Sequence, residues 1–349
     1  MKAVRVHQYD QQPTLDEVPV PVVRGPHDVI VKVGGAGVCR TDLHIIEGQW
    51  QDKSAVTLPY TIGHENAGTV AEIGSAVTNV AVGDAVILHP LATCGLCLAC
   101  RSGDDVHCTA SDFPGIDTEG GMAEYLRTSV RSVVRLDPSL APADVAALAD
   151  AGLTAYHAAR KAAEILRPGH CVVVIGAGGL GHIGIQVLKA LTSARIVVVD
   201  QSAPALQLAK EIGADVTVVA DGTEARKVLD LTGGAGAEAV LDFVGEGTAI
   251  ASGIAMLRRA GTYYVIGYGG NLEIPTIDVI STEINFVGNL VGTYNDLVEL
   301  MALAAQGRVH LHTVKYRFSD FQRALDDLHH GRVRGRAVLV PDDEFVPTA

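Results

Sequence analysis

From Cys171 onward, short apolar runs and helix-spaced segments alternate without a break, and this alternation limits the fold more than any other feature of the chain. Cys171–Ile175 is five residues of buried-strand character, and Leu180, Ile183, Val187, Leu188 and Leu191 follow at helical spacing. Strands are then expected over Arg195–Val199, Val216–Val219, Ala239–Val244, Thr262–Ile266 and Asn285–Gly288. Helices are expected between them over Ala203–Ile212, Thr223–Leu231 and Thr248–Arg259, with glycine at or near several helix ends. Strand and helix alternating at this pitch predict a doubly wound parallel sheet, an α/β fold.

The first strand-to-helix turn reads Gly176-Ala-Gly178-Gly179-Leu180-Gly181. The pattern is weak alone in a chain with 38 glycines, and gains weight from its place after a strand and at the start of a helix. The first glycine permits a tight turn, the second lets backbone approach a pyrophosphate, and the third lets helix and strand pack closely. Free N–H groups at the helix start then face the phosphates. Asp200 ends the next strand, nineteen residues after Gly181, where a carboxylate accepts hydrogen bonds from an adenosine ribose. It also repels a 2′-phosphate, and Gln201, Ser202 and Ala203 supply no cation to reverse that, so NAD is expected over NADP. The competing reading is a turn whose glycines serve packing only.

Four of the six cysteines fall within fifteen residues: Cys94, Cys97, Cys100 and Cys108. The N-terminus carries no signal-peptide pattern, so a cytoplasmic protein with reduced thiols is the expectation. Cys-x-x-Cys-x-x-Cys with a fourth cysteine eight residues on is metal-ligand spacing, for zinc or an iron–sulfur centre. Four thiolates leave no open position, which makes the site structural. A redox dithiol or a disulfide pair is the alternative. The acidic balance, 27 Lys and Arg against 40 Asp and Glu, disfavours nucleic acid or an anionic membrane as partner. Gly169–Leu188 lacks any charged residue over 20 positions, but its six glycines and its switch from strand to helix pattern argue against a membrane span.

Residues 1–150 read as β-rich, with strands at Val29–Val33, Ala67–Ile73 and Ala85–Leu88. Ala143–Lys161 is alanine-rich and helix-like, and the end of the chain offers helices at Asn295–Gln306 and Asp320–Gly331 and a strand at Arg336–Val340. At 349 residues, two domains are expected. Cys39 and the pair His64-Glu65 lie in the β-rich part. Singly, each has an ordinary explanation: a buried thiol, a core histidine, a surface carboxylate.

Together, Cys39–His44, Gly63-His64-Glu65, the four-cysteine loop and Gly176–Gly181 stand in the order and spacing of the zinc-containing, medium-chain alcohol dehydrogenases, and the chain resembles that family along nearly its whole length. The resemblance implies a GroES-like catalytic domain over 1–150 with a structural zinc lobe at about 90–110, a Rossmann domain over 151–288, and a return to the catalytic domain over 289–349, with the active-site cleft between the two domains. It implies two zinc ions per chain and NAD. Cys94, Cys97, Cys100 and Cys108 match the lobe. Cys39 and His64 match two catalytic zinc ligands, and Asp150 stands where the family usually has a third cysteine. Oxygen is an acceptable zinc ligand. The change leaves open whether Glu65 is a standing ligand or an exchanging one. Cys171, inside a strand, is expected to be an inert thiol.

The same resemblance implies that zinc polarises an alcohol or carbonyl oxygen while hydride passes to or from the nicotinamide. Thr41 then contacts the substrate oxygen, and His44 releases the proton at the surface, a task its pKa range suits. Asp42 orients His64. Arg40 and Arg336 contact the pyrophosphate, Thr154 lies near the nicotinamide, and Gly179, Leu180 and Ile266 join the loop glycines in binding the cofactor. Trp50, Leu290 and Tyr294 are substrate-pocket candidates, Trp50 being equally explicable as a core aromatic. The reading is reversible oxidation of a small-molecule alcohol to an aldehyde or ketone by a homo-dimer or homo-tetramer. A polyol or sugar dehydrogenase of the same superfamily, or a zinc- and NAD-binding protein without catalysis, are the alternatives. The intact cysteine lobe counts against the first, and the set Cys39, Thr41, His44, His64 and Asp150 against the second.

Overall fold

The computed structural model describes residues 1–52, 54 and 56–345. They form two compact units: Met1–Ala151 with Thr293–Ala305 and the chain from Leu311 onward, and Gly152–Gly292 with Gln306–His310. The short segment 306–310 thus belongs to the second unit, where Gln186 brackets it: the amide donates to the His310 carbonyl at 2.9 Å and accepts from the His310 N–H at 2.9 Å.

The second unit is built on six parallel strands in the order Val216–Val219, Arg195–Asp200, Cys171–Ile175, Ala237–Asp242, Leu257–Val265 and Asn285–Gly288. Numbered along the chain, this is the 3-2-1-4-5-6 order of a doubly wound dinucleotide-binding sheet. The first strand, Cys-Val-Val-Val-Ile, is buried at every position because helices cover both faces. Burial pushes the Cys171 thiol up to about 11, in keeping with an inert core residue. The helix Gly181–Leu191 is buried all round from Gly181 to Leu188, which its largely apolar sequence allows.

The first unit is β-rich. A seven-stranded sheet runs Thr313–Arg317, Arg336–Val340, Asp28–Val38, Glu65–Ile73, Ala85–Leu88 and Val133–Arg135, with Tyr125–Ser129 paired to Asp28–Val38. A second sheet joins Thr14–Glu17, Lys2–Val6 and Tyr60–Thr61. Between them lies an aliphatic core that includes Val4, Val31, Val38, Ile62 and Val86. The alanine-rich stretch is broken where one helix is expected: Pro142–Val145, a 3-10 turn at Ala146–Leu148, and then the helix Ala151–Ala163. The break sets Asp150 at the entrance of the last helix. No helix among the described residues is long and apolar enough to cross a membrane.

Candidate functional site

Strand register assembles the first site. Gly37 pairs with Glu65 and Val38 with Ala337, so Cys39, His64-Glu65 and Arg336 emerge together at neighbouring strand ends. The strand Asp28–Val38 passes into a short helix, Arg40–Ile46, whose Asp42 reaches back to accept the Cys39 N–H at 2.8 Å. An acid three residues after the cap satisfies a helix-end donor in this way. Cys39, His64, Glu65 and Asp150 then place one donor atom each within 4.8 Å of one another.

His64 Nε2 faces Asp150 Oδ2 at 3.5 Å, close to the edge of a tetrahedron with zinc–ligand bonds of about 2.1 Å, which is roughly 3.4 Å. On the other side of the ring, Asp42 Oδ1 lies 3.4 Å from Nδ1, and both atoms are buried without a hydrogen-bond partner. A carboxylate behind Nδ1 favours the tautomer that leaves Nε2 unprotonated and turned toward the cluster. Phe113 packs edge-on against the ring at 6.0 Å. Burial alone would push the His64 imidazole down. Asp42, Asp150 and Cys39 outweigh it and raise the group well above its ordinary value, so the surroundings favour positive charge at this point.

Glu65 has a different place. One oxygen accepts the Ala151 N–H at 3.0 Å, at the start of a helix where the dipole favours a carboxylate. The other accepts Arg336 Nη2 at 2.5 Å. Gly37 makes room for it, since a Cβ there would fall 2.0 Å from Glu65 Oε2. Burial raises the Glu65 carboxyl, with Arg336 opposing, while Glu65 and Cys39 hold the Arg336 guanidinium firmly charged despite burial. Both Glu65 oxygens are engaged in hydrogen bonds, and of the four donors Asp150 is the most open, its side chain 15% exposed. Three buried or half-buried carboxylates and a thiol against one arginine and one histidine make a cation-seeking cluster, and sulfur, nitrogen and oxygen donors suit zinc.

The lobe cysteines make a second cluster of four sulfurs within 4.8 Å of one another, none of them in a disulfide. Cys94 and Cys100 Sγ stand 4.0 Å apart, near the roughly 3.8 Å edge expected for four zinc–sulfur bonds of about 2.3 Å. The Leu96 and Cys97 N–H groups donate to Cys94 Sγ and draw its thiol down to about 6, while burial pushes Cys100 up to about 11. The residues present therefore fit a closed structural zinc site.

In the second unit the three loop glycines stand in three different settings. Gly176 has φ +86°, a Cβ at Gly181 would lie 1.8 Å from the Gly176 carbonyl oxygen, and a Cβ at Gly178 would meet nothing within 4 Å. The first turn is thus left-handed, the last contact is backbone on backbone, and the middle glycine faces open space that a pyrophosphate can approach. Gly179 and Leu180 are half-buried beside it. Asp200 accepts the Ala177 N–H at 2.7 Å and the Ser202 N–H at 2.7 Å, so it also braces the loop.

Other expected residues fall as follows. Thr41, Asp42 and His44 share the Arg40–Ile46 helix, Asp42 buried, Thr41 and His44 half-buried three residues apart, and Arg40 exposed. Thr154 is half-buried in the Ala151–Ala163 helix, and Ile266 is buried just past the strand Leu257–Val265. Trp50 is half-buried against the aliphatic core of the first unit. Leu290 is 57% exposed in the second unit. Tyr294 lies elsewhere than the metal cluster: its hydroxyl donates to the Val133 carbonyl, and it lines a cavity of about 400 Å³ with Cys100, Asp105 and Arg131 that includes none of Cys39, His64, Glu65 or Asp150. Arg336, expected at a pyrophosphate, is only 4% exposed and carries a role that sequence reasoning missed, the anchoring of Glu65. The sequence places Arg336 at the start of a strand, but nothing in it shows that this strand pairs with the one leading to Cys39.

A cluster of mixed metal-binding donors in a GroES-like β unit, with a glycine loop on a doubly wound sheet, fits a zinc-type dehydrogenase. Residues 25–138 match the family model "Alcohol dehydrogenase GroES-like domain" and residues 179–306 match "Zinc-binding dehydrogenase". The chain is 37% identical to an NAD-dependent alcohol dehydrogenase of Sulfolobus acidocaldarius, over 97% of this chain and 99% of the relative. It is 34% identical to a D-arabinose 1-dehydrogenase (NADP(+)) of Saccharolobus solfataricus, over 97% of each. The crystal structure of the alcohol dehydrogenase of Aeropyrum pernix superposes with a TM-score of 0.94 at 44% identity, covering 98% of this chain and all of the other. The chain belongs to the zinc-containing medium-chain alcohol dehydrogenase family.

Proposed function

We propose that the chain is an NAD-dependent alcohol dehydrogenase, interconverting a small-molecule alcohol and its aldehyde or ketone. The observation that carries this reading is the convergence of Cys39, His64 and Asp150 on one centre, in a chain that also holds the glycine loop and Asp200. Zinc, when bound there, supplies Lewis acidity toward a hydroxyl or carbonyl oxygen, and NAD supplies the hydride acceptor. Cys39, His64 and Asp150 would hold the ion, with Asp42 fixing the His64 ring and Glu65 held behind them by Ala151 and Arg336. Thr41 and His44, on one face of their helix and both half-buried, carry the proton released on oxidation toward solvent. Cys94, Cys97, Cys100 and Cys108 would hold a second, structural zinc.

Arg40 is proposed to reach the pyrophosphate, Thr154 and Ile266 to pack near the nicotinamide, and Trp50 and Leu290 to border the substrate. A sugar or polyol as substrate is the second reading, favoured by the D-arabinose 1-dehydrogenase among the relatives. One kinetic panel tests both: simple alcohols, polyols and aldoses with NAD and with NADP, paired with metal analysis. Turnover of simple alcohols with NAD and two zinc ions per chain is expected. Turnover confined to sugars, or to NADP, overturns the reading.

In the same panel, Asp200→Gly is expected to raise the NADP-to-NAD ratio of kcat/KM by about tenfold or more, because a like-charge clash with the 2′-phosphate is removed. Its KM for NAD should rise too, since Asp200 also holds the Ala177 N–H. An unchanged ratio contradicts the role given to this carboxylate.

We also propose a cytoplasmic homo-dimer or homo-tetramer. Tyr268, Leu272, Ile277 and Ile280, all exposed, lie along the chain between the strand Leu257–Val265 and the edge strand Asn285–Gly288, an apolar set that supports self-association of the second unit. Light scattering checks it, and a monomeric mass at micromolar concentration contradicts it.

A further inference from the structure

Asp242 ends a strand of the second unit and is buried, yet no step proposed above uses it. Its carboxylate is nevertheless fully engaged. Oδ1 accepts the Val244 N–H at 2.8 Å and the Gly245 N–H at 3.0 Å, and Oδ2 accepts the Tyr263 hydroxyl at 2.5 Å. Tyr263 stands on the neighbouring parallel strand, with its side chain wholly inside the core. The two residues therefore fix the turn Phe243-Val244-Gly245 from below.

That turn is the surface on which the nucleotide loop rests. A Cβ at Gly176 would lie 2.8 Å from Val244 Cγ2, and one at Gly184 would lie 2.7 Å from the Phe243 ring. Phe243 also borders Gly181, at 3.6 Å from its notional Cβ, and its N–H donates to the Ile175 carbonyl at 3.0 Å. Because Gly176 and Gly184 carry no Cβ, Val244 and Phe243 pack directly against the backbone there, and a displaced turn would disturb the loop. The loop, in turn, must present its N–H groups in fixed directions to hold a pyrophosphate.

We propose that Asp242 and Tyr263 are positioning residues for dinucleotide binding, acting through the Phe243–Gly245 turn on the Gly176–Gly181 loop. The inference rests on the coenzyme reading above. It assigns the buried pair to the pyrophosphate half of the ligand. NAD and ADP-ribose, which share that half, should therefore respond alike, and the chemical step should not respond at all.

The test compares Tyr263→Phe with Tyr264→Phe, a neighbouring buried tyrosine whose hydroxyl donates to the Lys161 carbonyl at 3.3 Å. Calorimetric titration with NAD and with ADP-ribose gives the dissociation constants. Thermal unfolding gives stability, and saturating kinetics give kcat. Tyr263→Phe is expected to raise both dissociation constants about five- to tenfold, the range typical of coupling through packed networks, with kcat within about twofold of the parent. Tyr264→Phe should lower the unfolding temperature without moving either constant. Asp242→Asn, which weakens the charge-assisted bonds to Val244 and Gly245, should raise both constants as well. If Tyr263→Phe and Asp242→Asn lower the unfolding temperature and leave both constants unchanged, the pair is merely structural and the inference is overturned. If the parent chain binds neither ligand, the coenzyme reading fails and this inference with it.

Discussion

His64→Ala should abolish alcohol oxidation, lowering kcat/KM by about a thousandfold or more, and should remove one of the two zinc ions while the lobe keeps the other. The size follows from what the centre supplies: Lewis-acid stabilisation of several kcal/mol, at about 1.4 kcal/mol per factor of ten. His64 is central among the donors, with Asp150 on its Nε2 side and Asp42 on its Nδ1 side. Losing the ring leaves three negative groups facing one another and no way to hold the ion in a fixed place. Metal content and steady-state kinetics on the same preparation read both effects. A variant that keeps two zinc ions and parent-like kcat/KM would mean that His64 is an ordinary core histidine.

Arg336→Leu should destabilise the first unit by about 3–5 kcal/mol, because it strands Glu65 as a buried, uncompensated charge. Both side chains are essentially inaccessible, the guanidinium at 4% and the carboxylate at 0%, so solvent screening offers little relief. Arg336 cannot be replaced in this duty by the Ala151 N–H, which already holds the other Glu65 oxygen. The double variant Glu65→Leu with Arg336→Leu should recover part of the loss, since replacing both partners by apolar groups removes the unpaired charge. Differential scanning calorimetry of the parent, the single and the double variant measures this. Equal unfolding temperatures for parent and single variant would show that the pair contributes nothing.

These two predictions mark where the sequence is legible and where it is not. The nucleotide loop is local: Gly176, Gly178, Gly181 and Asp200 lie within 25 residues, and spacing alone states what each must do. The lobe is local as well, its four sulfurs coming from fifteen residues. The metal cluster is not. Its members meet because Gly37 is in register with Glu65 and Val38 with Ala337, and no pattern within a strand encodes its partner's register. The family resemblance named Cys39, His64 and Asp150. It did not show Arg336 closing on Glu65 across 271 residues of chain.

Secondary structure divides along the same line. The parallel strands of the second unit are continuous apolar runs and stand out, while short strands such as Lys2–Val6 and Thr313–Arg317 have charged residues among their apolar ones and pass for loop. The seven-residue helix Arg40–Ile46 is too short for periodicity to reveal, although Asp42 at its third position is a start signal in hindsight. The long helix expected over Ala143–Lys161 breaks at Ala149-Asp150 because Asp150 and the Ala151 N–H are both drawn into the cluster, a tertiary demand that outweighs alanine's helix preference.

The most direct test of the metal centre is a crystal of the zinc-loaded protein measured on either side of the zinc absorption edge. The account predicts two anomalous peaks per chain, one within about 2.0–2.3 Å of Cys39 Sγ, His64 Nε2 and Asp150 Oδ2, and one among the four lobe sulfurs. A chain that takes up zinc only in the lobe, or binds the second ion through other side chains, contradicts it.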